Sequence, residues 1–290
     1  MDRHPRLLDW LLLILLAFIW GSSFILMKKG LEAFRPDQVA ALRIAITAIV
    51  LLPFAFTRRK EASPSRVKII LLQAMFGNFI PAFLFPAAQA HIDSSTAGIL
   101  NSLSPVWVFV LGILFFQSKY TYVKLAGIVF AFGGVILLML FKPRHGVTSN
   151  VNFAWLIVIA TVCYGLSANI IKKKLQDISP VTIVAISFAI MLIPAIIYLF
   201  FTGILQTIHE QPKAWASLGY LTILAAIGSA LASIIFNNLI QRTSALFAAS
   251  VTYLIPIVAL FWGFISAEQI TVYDLFGMIM IFAGVYLVSR

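Results

Sequence analysis

The junction that follows the first apolar run of this chain occurs twice. Residues 20–36 read WGSSFILMKKGLEAFRP, and residues 164–180 read YGLSANIIKKKLQDISP. Each copy begins with an aromatic residue and a glycine, has a serine three residues after the aromatic, continues into a lysine cluster and ends in proline. The matching positions differ by 144 residues. Self-similarity at a constant spacing indicates an internal repeat, so the sequence predicts a chain built from two related halves.

A second set of matches, at a spacing of 151 residues, extends the repeat towards the end of the chain. The matched pairs are Gly77 and Gly228, Phe85 and Phe236, Ala97 and Ala248, Pro105 and Pro256, Gly112 and Gly263, Tyr122 and Tyr273, and Gly133 and Gly284. The spacing changes after the second predicted helix of each half. We therefore expect two five-helix repeats, the first in residues 1–145 and the second in residues 146–290.

The composition identifies the solvent that surrounds this protein. Hydrophobic residues make up 61% of the 290 residues and charged residues only 11%. A soluble globular domain has about a quarter of its residues charged. Lipid tolerates an apolar surface and a helix satisfies its own backbone hydrogen bonds, so the composition predicts an all-α integral membrane protein. The formal net charge of +11 comes mainly from short basic loops, which favours membrane orientation over nucleic-acid binding.

The apolar runs predict ten transmembrane helices. They cover residues 10–27, about 37–57, 69–90, 94–118, 125–141, 146–171, 178–208, 214–241, 243–267 and 275–289. Five helices per repeat is an odd number, so the second half should enter the membrane from the opposite side. With the N-terminus inside, 14 Lys and Arg residues fall on inner segments and 7 on outer ones. This asymmetry predicts that both termini are cytoplasmic in a bacterial inner-membrane protein.

Short motifs at equivalent helix positions carry a family resemblance. They are AFIWGSSF at 17–24, RPDQVAALR at 35–43, and Ala-x7-Pro patterns whose helices end in QSKYT and AEQIT. These motifs resemble the drug/metabolite transporter superfamily, and more closely its ten-helix EamA-type exporters. The resemblance implies inverted repeats around a central cavity, lined mainly by predicted helices 1, 3, 4, 6, 8 and 9, and export of amino acids, other metabolites or xenobiotics. The family favours an acid where this chain has Gln117, whereas Glu268 keeps it in the second half.

Polar uncharged side chains within the apolar runs are candidates for a solute-binding site, because a buried amide or hydroxyl needs a partner. The full set is Ser22, Ser23, Asn78, Asn101, Ser104, Ser167, Asn169, Ser233, Asn237 and Asn238. For the serines, close packing between helices is the alternative role. From this set we predict that the solute contacts Ser23, Asn78, Asn101, Ser167 and Asn237.

Four aromatic residues are candidates for the apolar part of the pocket: Trp20, Trp107, Tyr164 and Tyr253. Trp20 and Tyr164 occupy equivalent positions in the two halves, and the other two lie near the matched prolines. The alternative for each is a ring that faces lipid or the membrane interface. Pro105 and Pro256 would give paired kinks, acting either as gating hinges or as static bends.

The charged residues bear on coupling and on the solute. All ten acids fall at predicted helix ends or in loops, whereas a carboxylate at mid-depth is the usual sign of proton or sodium coupling. We therefore expect uncoupled transport. Arg43 is interpreted either as a snorkelling or ion-paired side chain or as a clamp on a substrate carboxylate. Phosphorylated solutes would need paired buried cations, so neutral or zwitterionic solutes are favoured.

Together these features predict an exporter of amino acids or related amphipathic solutes that works by alternating access. The alternatives are a proton-coupled drug/metabolite antiporter, a lipid-type flippase and a channel. An integral membrane enzyme would need a cluster of His, Asp or Glu at membrane depth, and the sequence has none. The expected partners are a small-molecule solute and membrane lipid, without nucleic acid, cofactor or metal, and the chain is expected to act as a monomer or homodimer.

Overall fold

The computed structural model describes residues 4–92, 94–119, 121–140, 151–265 and 272–290. Within these ranges the regular structure is helical throughout. Six helical segments are long and apolar enough to cross a bilayer: Leu7–Gly30, Pro36–Glu61, Pro64–Gln89, Ala154–Lys174, Pro180–Phe201 and Ala214–Arg242. Shorter apolar helices cover Ser104–Phe116, Tyr122–Gly134, Ala245–Val258 and Ile279–Val288. The chain is a multi-pass membrane protein.

The helices of the two halves follow one another in a similar order. The first half contains α1 (Leu7–Gly30), α2 (Pro36–Arg58), α3 (Pro64–Ala74), α4 (Ile80–Gln89), α5 (Ser94–Asn101), α6 (Ser104–Phe116) and α7 (Tyr122–Leu140). The second half contains α8 (Ala154–Lys174), α9 (Pro180–Phe201), α10 (Ile204–Glu210), α11 (Ala214–Ile223), α12 (Ala232–Arg242), α13 (Ala245–Ala249), α14 (Val251–Ile265) and α15 (Val272–Ser289). Proline begins α2, α3 and α9, because the first turn of a helix needs no N–H at that position.

The fourth predicted helix consists of two helices in the structure. α5 ends at Asn101 and α6 begins at Ser104, whose hydroxyl donates a hydrogen bond to the Asn101 carbonyl O at 2.7 Å. Pro105 therefore lies in the first turn of α6, where its missing N–H leaves no helical hydrogen bond unmade. Pro105 follows a break between two helices instead of kinking one continuous helix, and its role as a hinge stays a prediction.

The equivalent region of the second half is divided at a different place. α13 ends at Ala249 and α14 begins at Val251, while the hydroxyl of the intervening Ser250 donates to the carbonyl O of Phe247 at 2.6 Å. Pro256 lies inside α14. An interior proline removes a helical hydrogen bond and bends its helix, whereas a proline in the first turn does not. The structure therefore lacks the symmetry that the sequence predicted for the two proline kinks.

The described part of each half contains a π-helical segment. Met75–Phe79 joins α3 to α4, and Leu224–Leu231 joins α11 to α12. In the first half Pro81 follows this segment, cannot donate to the carbonyl four residues earlier, and crowds it with its ring. In the second half the Ser229 hydroxyl donates to the Leu224 carbonyl O at 3.4 Å. Such π-helical turns widen a helix locally and are frequent at functional sites.

The two halves contact each other through equivalent helices. α2 packs against α9 and α7 against α15, while α1 packs against α14 as α8 packs against α6. In the α7–α15 contact, a Cβ placed on Gly127 would lie 2.8 Å from the Gly284 carbonyl O. A Cβ placed on Gly284 would lie 2.6 Å from the Gly127 carbonyl O. Glycine allows this contact of two backbones, which is a common way for helices to associate in lipid.

Candidate solute-binding cavity

A cavity lies between the two halves. It contains about 1140 Å³ of space not filled by protein atoms, its mouth included. The first half lines it with α1, α2, the α3–α4 segment, α5 and α6, and the second half with α8, α9, the α11–α12 segment, α13 and α14. α2 and α9 contribute Arg43, Ile44 and Phe188, although the family resemblance implied that neither helix is a main part of the wall.

Most of the residues predicted to bind a solute come together in this cavity. Those that line it are Trp20, Ser23, Asn78, Asn101, Tyr164, Ser167 and Asn237. They belong to segments far apart in the sequence, and the contact between the two halves makes them neighbours. Ser104 and Ser233 of the wider polar set also line the cavity. That these side chains bind a solute stays a prediction.

Trp107 and Tyr253 are not among the residues that line the cavity. Tyr253 is 0% exposed within the apolar core. Trp107 packs against α8, where a Cβ on Gly165 would lie 2.9 Å from the Trp107 Cβ. Among the described residues, neither the Trp107 Nε1 nor the Tyr253 Oη has a hydrogen-bond partner. Both aromatics pack against neighbouring helices, and their role in solute binding stays a prediction.

Two aromatic pairs join the halves at the cavity. The rings of Trp20 and Phe236 lie 5.1 Å apart, and those of Tyr164 and Phe85 lie 5.9 Å apart and are stacked. The Trp20 Nε1 donates to the Gly228 carbonyl O at 3.0 Å, which fixes the indole orientation. These distances are typical of favourable aromatic contacts, so the rings form an ordered apolar wall.

Two serine–glycine contacts also join the halves. A Cβ placed on Gly77 would lie 2.3 Å from the Ser167 Oγ, and one placed on Gly228 would lie 2.6 Å from the Ser23 Oγ. The Ser23 hydroxyl donates to the carbonyl O of Ile19 at 2.8 Å, within its own helix. Both serines thus pack closely between helices and line the cavity at once.

The asparagines that line the cavity differ in how far their hydrogen bonds are used. The Asn101 Oδ1 accepts from the Ser104 hydroxyl at 3.3 Å. Across the described ranges, no hydrogen bond is found for the side chains of Asn78 and Asn237, although Asn237 is only 3% exposed. Their amide donors and acceptors are not used by the described part of the protein, so these two amides are available to a polar solute. In contrast, the Asn169 Nδ2 donates to the carbonyl O atoms of Val108 and Gly165.

Gln73 is a cavity residue that the sequence reasoning missed. Its Nε2 donates to the Ser167 Oγ at 3.0 Å, and its Oε1 accepts from the Ser187 hydroxyl at 3.2 Å. Gln73 is 3% exposed and holds α3 to α8 and α9. It lies in an uncharged run and met the criterion used for the asparagines, so the same signal could have found it.

The described wall of the cavity carries a positive charge but no negative one. Arg43 lines it, and no carboxylate does so in the part of the chain that the structure describes. Asp9 accepts from the Arg242 Nε at 2.8 Å near the start of α1. Glu32 accepts from the Nζ atoms of Lys29 and Lys213 at 2.6 and 2.8 Å. The hydrogen bonds from Lys213 and then Lys29 lower the pKa of Glu32 to about 2. Two further acids, Asp93 and Glu268, lie outside the described residues. Glu268 is the counterpart of Gln117, and the QIT segment that follows it is also outside them.

The fold and the cavity define the class of this molecule, a helical membrane protein with a solute-sized space between two similar halves. The EamA-like transporter family matches residues 8–140 and again residues 152–290. The chain belongs to the EamA-like transporter family. This family and the names of the relatives below are those of transporters and not of enzymes.

Individual relatives are similar over most of their length. A protein of Salmonella typhimurium named as a probable amino-acid metabolite efflux pump is 25% identical over 96% of this chain and 94% of its own. An S-adenosylmethionine/S-adenosylhomocysteine transporter of Chlamydia trachomatis is 25% identical over 88% of this chain and 80% of its own. A crystal structure superposes with a TM-score of 0.72 over 98% of this chain and 96% of that chain, at 14% identity. The last similarity supports the fold alone.

Proposed function

We propose that this protein exports small neutral or zwitterionic metabolites, amino acids or related amphipathic solutes, across the bacterial cytoplasmic membrane. The observation that carries the proposal is the cavity, which combines aromatic walls, unpaired amides and one guanidinium between two halves. A zwitterionic solute with an apolar side chain offers a complementary surface to each of these groups. The name of the Salmonella typhimurium relative, a probable amino-acid metabolite efflux pump, points to the same class of solute.

The proposed architecture is ten transmembrane helices in two inverted five-helix repeats, residues 1–145 and 146–290, with both termini cytoplasmic. Three pairs of contacts between the halves support it. Trp20–Phe236 corresponds to Tyr164–Phe85, Ser23–Gly228 to Ser167–Gly77, and Gly21–Val258 to Gly165–Trp107. In each case the two sequence spacings, 144 and 151, convert one contact into the other. Such exchange is expected of a pseudo-twofold axis between repeats, and alternating access follows when one repeat moves against the other.

Transport is proposed to be uncoupled from protons. A coupling group must bind and release a proton while linked to solute occupancy, and a buried carboxylate is the usual choice. The described walls of the cavity contain none. A proton-coupled antiporter remains the second candidate, because Glu268 and Asp93 lie outside the described residues. In the proposed mechanism the gradient of the solute itself drives export.

The test is counterflow in proteoliposomes with a panel of labelled amino acids, nucleosides and dyes. We expect saturable uptake of at least one amino acid, accelerated by the same unlabelled solute inside the vesicle. A rate that rises linearly with concentration would indicate a channel, and saturable uptake restricted to dyes would favour the drug antiporter. Lack of saturable uptake for the entire panel would overturn the proposed function. Vesicles without protein provide the background.

A further inference from the structure

Arg43 is a cation in the wall of a cavity that is otherwise uncharged in the part of the chain described. It belongs to α2, and its Nε donates to the Ser229 Oγ at 2.7 Å. Across the described ranges, the Nη1 and Nη2 atoms have neither a hydrogen-bond partner nor an ion-pair partner. The ion-paired interpretation of Arg43 therefore has no support among the described acids, and the edge formed by the two Nη atoms is unused.

The second half does not repeat this charge. The position equivalent to Arg43, at a spacing of 144, is Ser187, whose hydroxyl donates to the Gln73 Oε1 at 3.2 Å. The Ser187 hydroxyl is used in this contact with Gln73, whereas the Arg43 guanidinium faces the cavity. A cavity built from equivalent positions thus carries its charge on one side only, which would orient an asymmetric solute.

An unpaired guanidinium in a low-dielectric cavity is costly, and an anion that binds it removes much of this cost. Two N–H groups on adjacent Nη atoms match the two oxygens of a carboxylate in a bidentate pair. We propose that Arg43 binds the carboxylate of the transported solute and that Ser229 positions the guanidinium for it. This inference deepens the proposed function and rests on it, and it names a carboxylate as the feature that accepted solutes share.

The same arrangement determines which solutes are rejected. The described wall contains Arg43 and no carboxylate, so the electrostatic potential in the cavity is positive. A positive potential repels permanent organic cations. The amino group of a zwitterion instead needs neutral acceptors, and the Asn78 amide oxygen can supply one. Amino acids and other monocarboxylates are therefore accepted, and cationic dyes and their relatives are excluded.

The experiment compares probes that differ only at the carboxylate. L-Phenylalanine, L-leucine, L-methionine and L-serine are each paired with their own carboxamide. Binding to the purified full-length chain is followed as the rise in Tm with probe concentration, which does not require transport. For at least one pair, we expect the acid to bind about 10- to 100-fold more tightly than the amide, as the loss of a charge-assisted bidentate pair implies.

The variants assign this preference to Arg43. Arg43→Gln should bring the ratio of acid affinity to amide affinity close to one. Arg43→Lys should retain part of the preference, because lysine keeps the positive charge but lacks the two Nη atoms that bind a carboxylate together. Ser229→Ala should lower the ratio, because the guanidinium loses the acceptor that orients it. Arg59→Gln removes an exposed arginine outside the cavity and should leave the ratio as in the wild type. If Arg43→Gln does not fold, Arg43→Lys and Ser229→Ala provide the same measurement.

Wild-type protein that binds no acid of the panel more tightly than its amide overturns the assignment, and so does an unchanged ratio in the Arg43 variants. Transport of the same probes in proteoliposomes separates this inference from the proposed function. Carboxylate-selective binding without saturable transport would overturn the function and keep the inference. Saturable transport without preference for the acid would keep the function and overturn the inference.

Discussion

The Trp20 ring in the first half lies 5.1 Å from the Phe236 ring in the second half, and the Tyr164 and Phe85 rings repeat this contact with the halves exchanged. The Trp20 indole is also tied to the second half through its hydrogen bond to the Gly228 carbonyl O. Neither half therefore completes the aromatic wall by itself.

Replacing Trp20 by alanine should weaken solute binding. The substitution removes the Phe236 contact and a large apolar surface from the wall, so we expect the apparent KM for transport to rise about tenfold. The measurement is saturable uptake in proteoliposomes, normalised to reconstituted protein. Trp215→Ala is the matched control, because the Trp215 side chain is 72% exposed on α11 and outside the cavity. Equal KM values for both variants would place the binding wall elsewhere.

Replacing Gly77 by alanine should destabilise the contact between the halves. The new Cβ would lie 2.3 Å from the Ser167 Oγ, and overpacking of this kind costs about 1–3 kcal/mol. Thermal unfolding of the detergent-purified protein should show a lower Tm, partly restored by Ser167→Gly in the same chain. Gly219→Ala meets nothing within 4 Å and should leave the Tm unchanged or slightly higher. A Tm for Gly77→Ala at or above the wild-type value would contradict the close approach.

The topology can be tested with two single cysteines in a Cys163→Ala background. Lys28 and Gln176 are both exposed, and the inverted repeat predicts that they lie on opposite sides of the membrane. A membrane-impermeant thiol reagent added to intact cells should label Lys28→Cys and spare Gln176→Cys. Gly30 is unsuitable because a Cβ there would lie 2.5 Å from the Leu221 Cδ2. Labelling of both cysteines from outside would exclude the inverted arrangement.

The Glu32 ion pairs should stabilise the protein only above acidic pH. Lys213 and Lys29 lower the pKa of Glu32 to about 2 in the folded protein, below its ordinary value of 4.5. The stabilisation is therefore fully present above pH 4.5 and is lost as the pH falls towards 2. We expect the Tm difference between the wild type and Glu32→Gln to be constant from neutral pH to about 5 and to shrink below it. High salt should reduce it, and a difference independent of pH would contradict the ion-pair origin.

A pH gradient by itself should not drive accumulation of the solute. The described cavity wall has no carboxylate, and His91, which is exposed, stacks on Phe153 with ring centroids 3.7 Å apart. The measurement is flux into proteoliposomes with an imposed pH gradient and equal solute concentrations on both sides. Net accumulation that an ionophore abolishes, and that is lost in Glu268→Gln or His91→Ala, would overturn uncoupled transport.

Much of the architecture could be predicted from local sequence. The lipid environment, the apolar helices and the prolines that begin α2, α3 and α9 could all be predicted. The reason is that each segment in lipid must satisfy its own backbone hydrogen bonds. The repeat also matched Phe85 with Phe236, and in the structure both contact an aromatic residue at the cavity. Most of the polar residues that line the cavity were found because a polar group in lipid needs a partner.

The direction in which each side chain points was decided only by the tertiary structure. These helices are apolar on nearly every side, so no polar face identifies the side that meets the cavity. For this reason Trp107 and Tyr253 could not be distinguished from Trp20 and Tyr164, and Gln73 was missed although it connects three helices. The unused edge of Arg43 depends on Ser229, 186 residues away, binding its Nε. Sequence spacing determines which residues share a helix, and packing between the two halves determines which of them share a cavity.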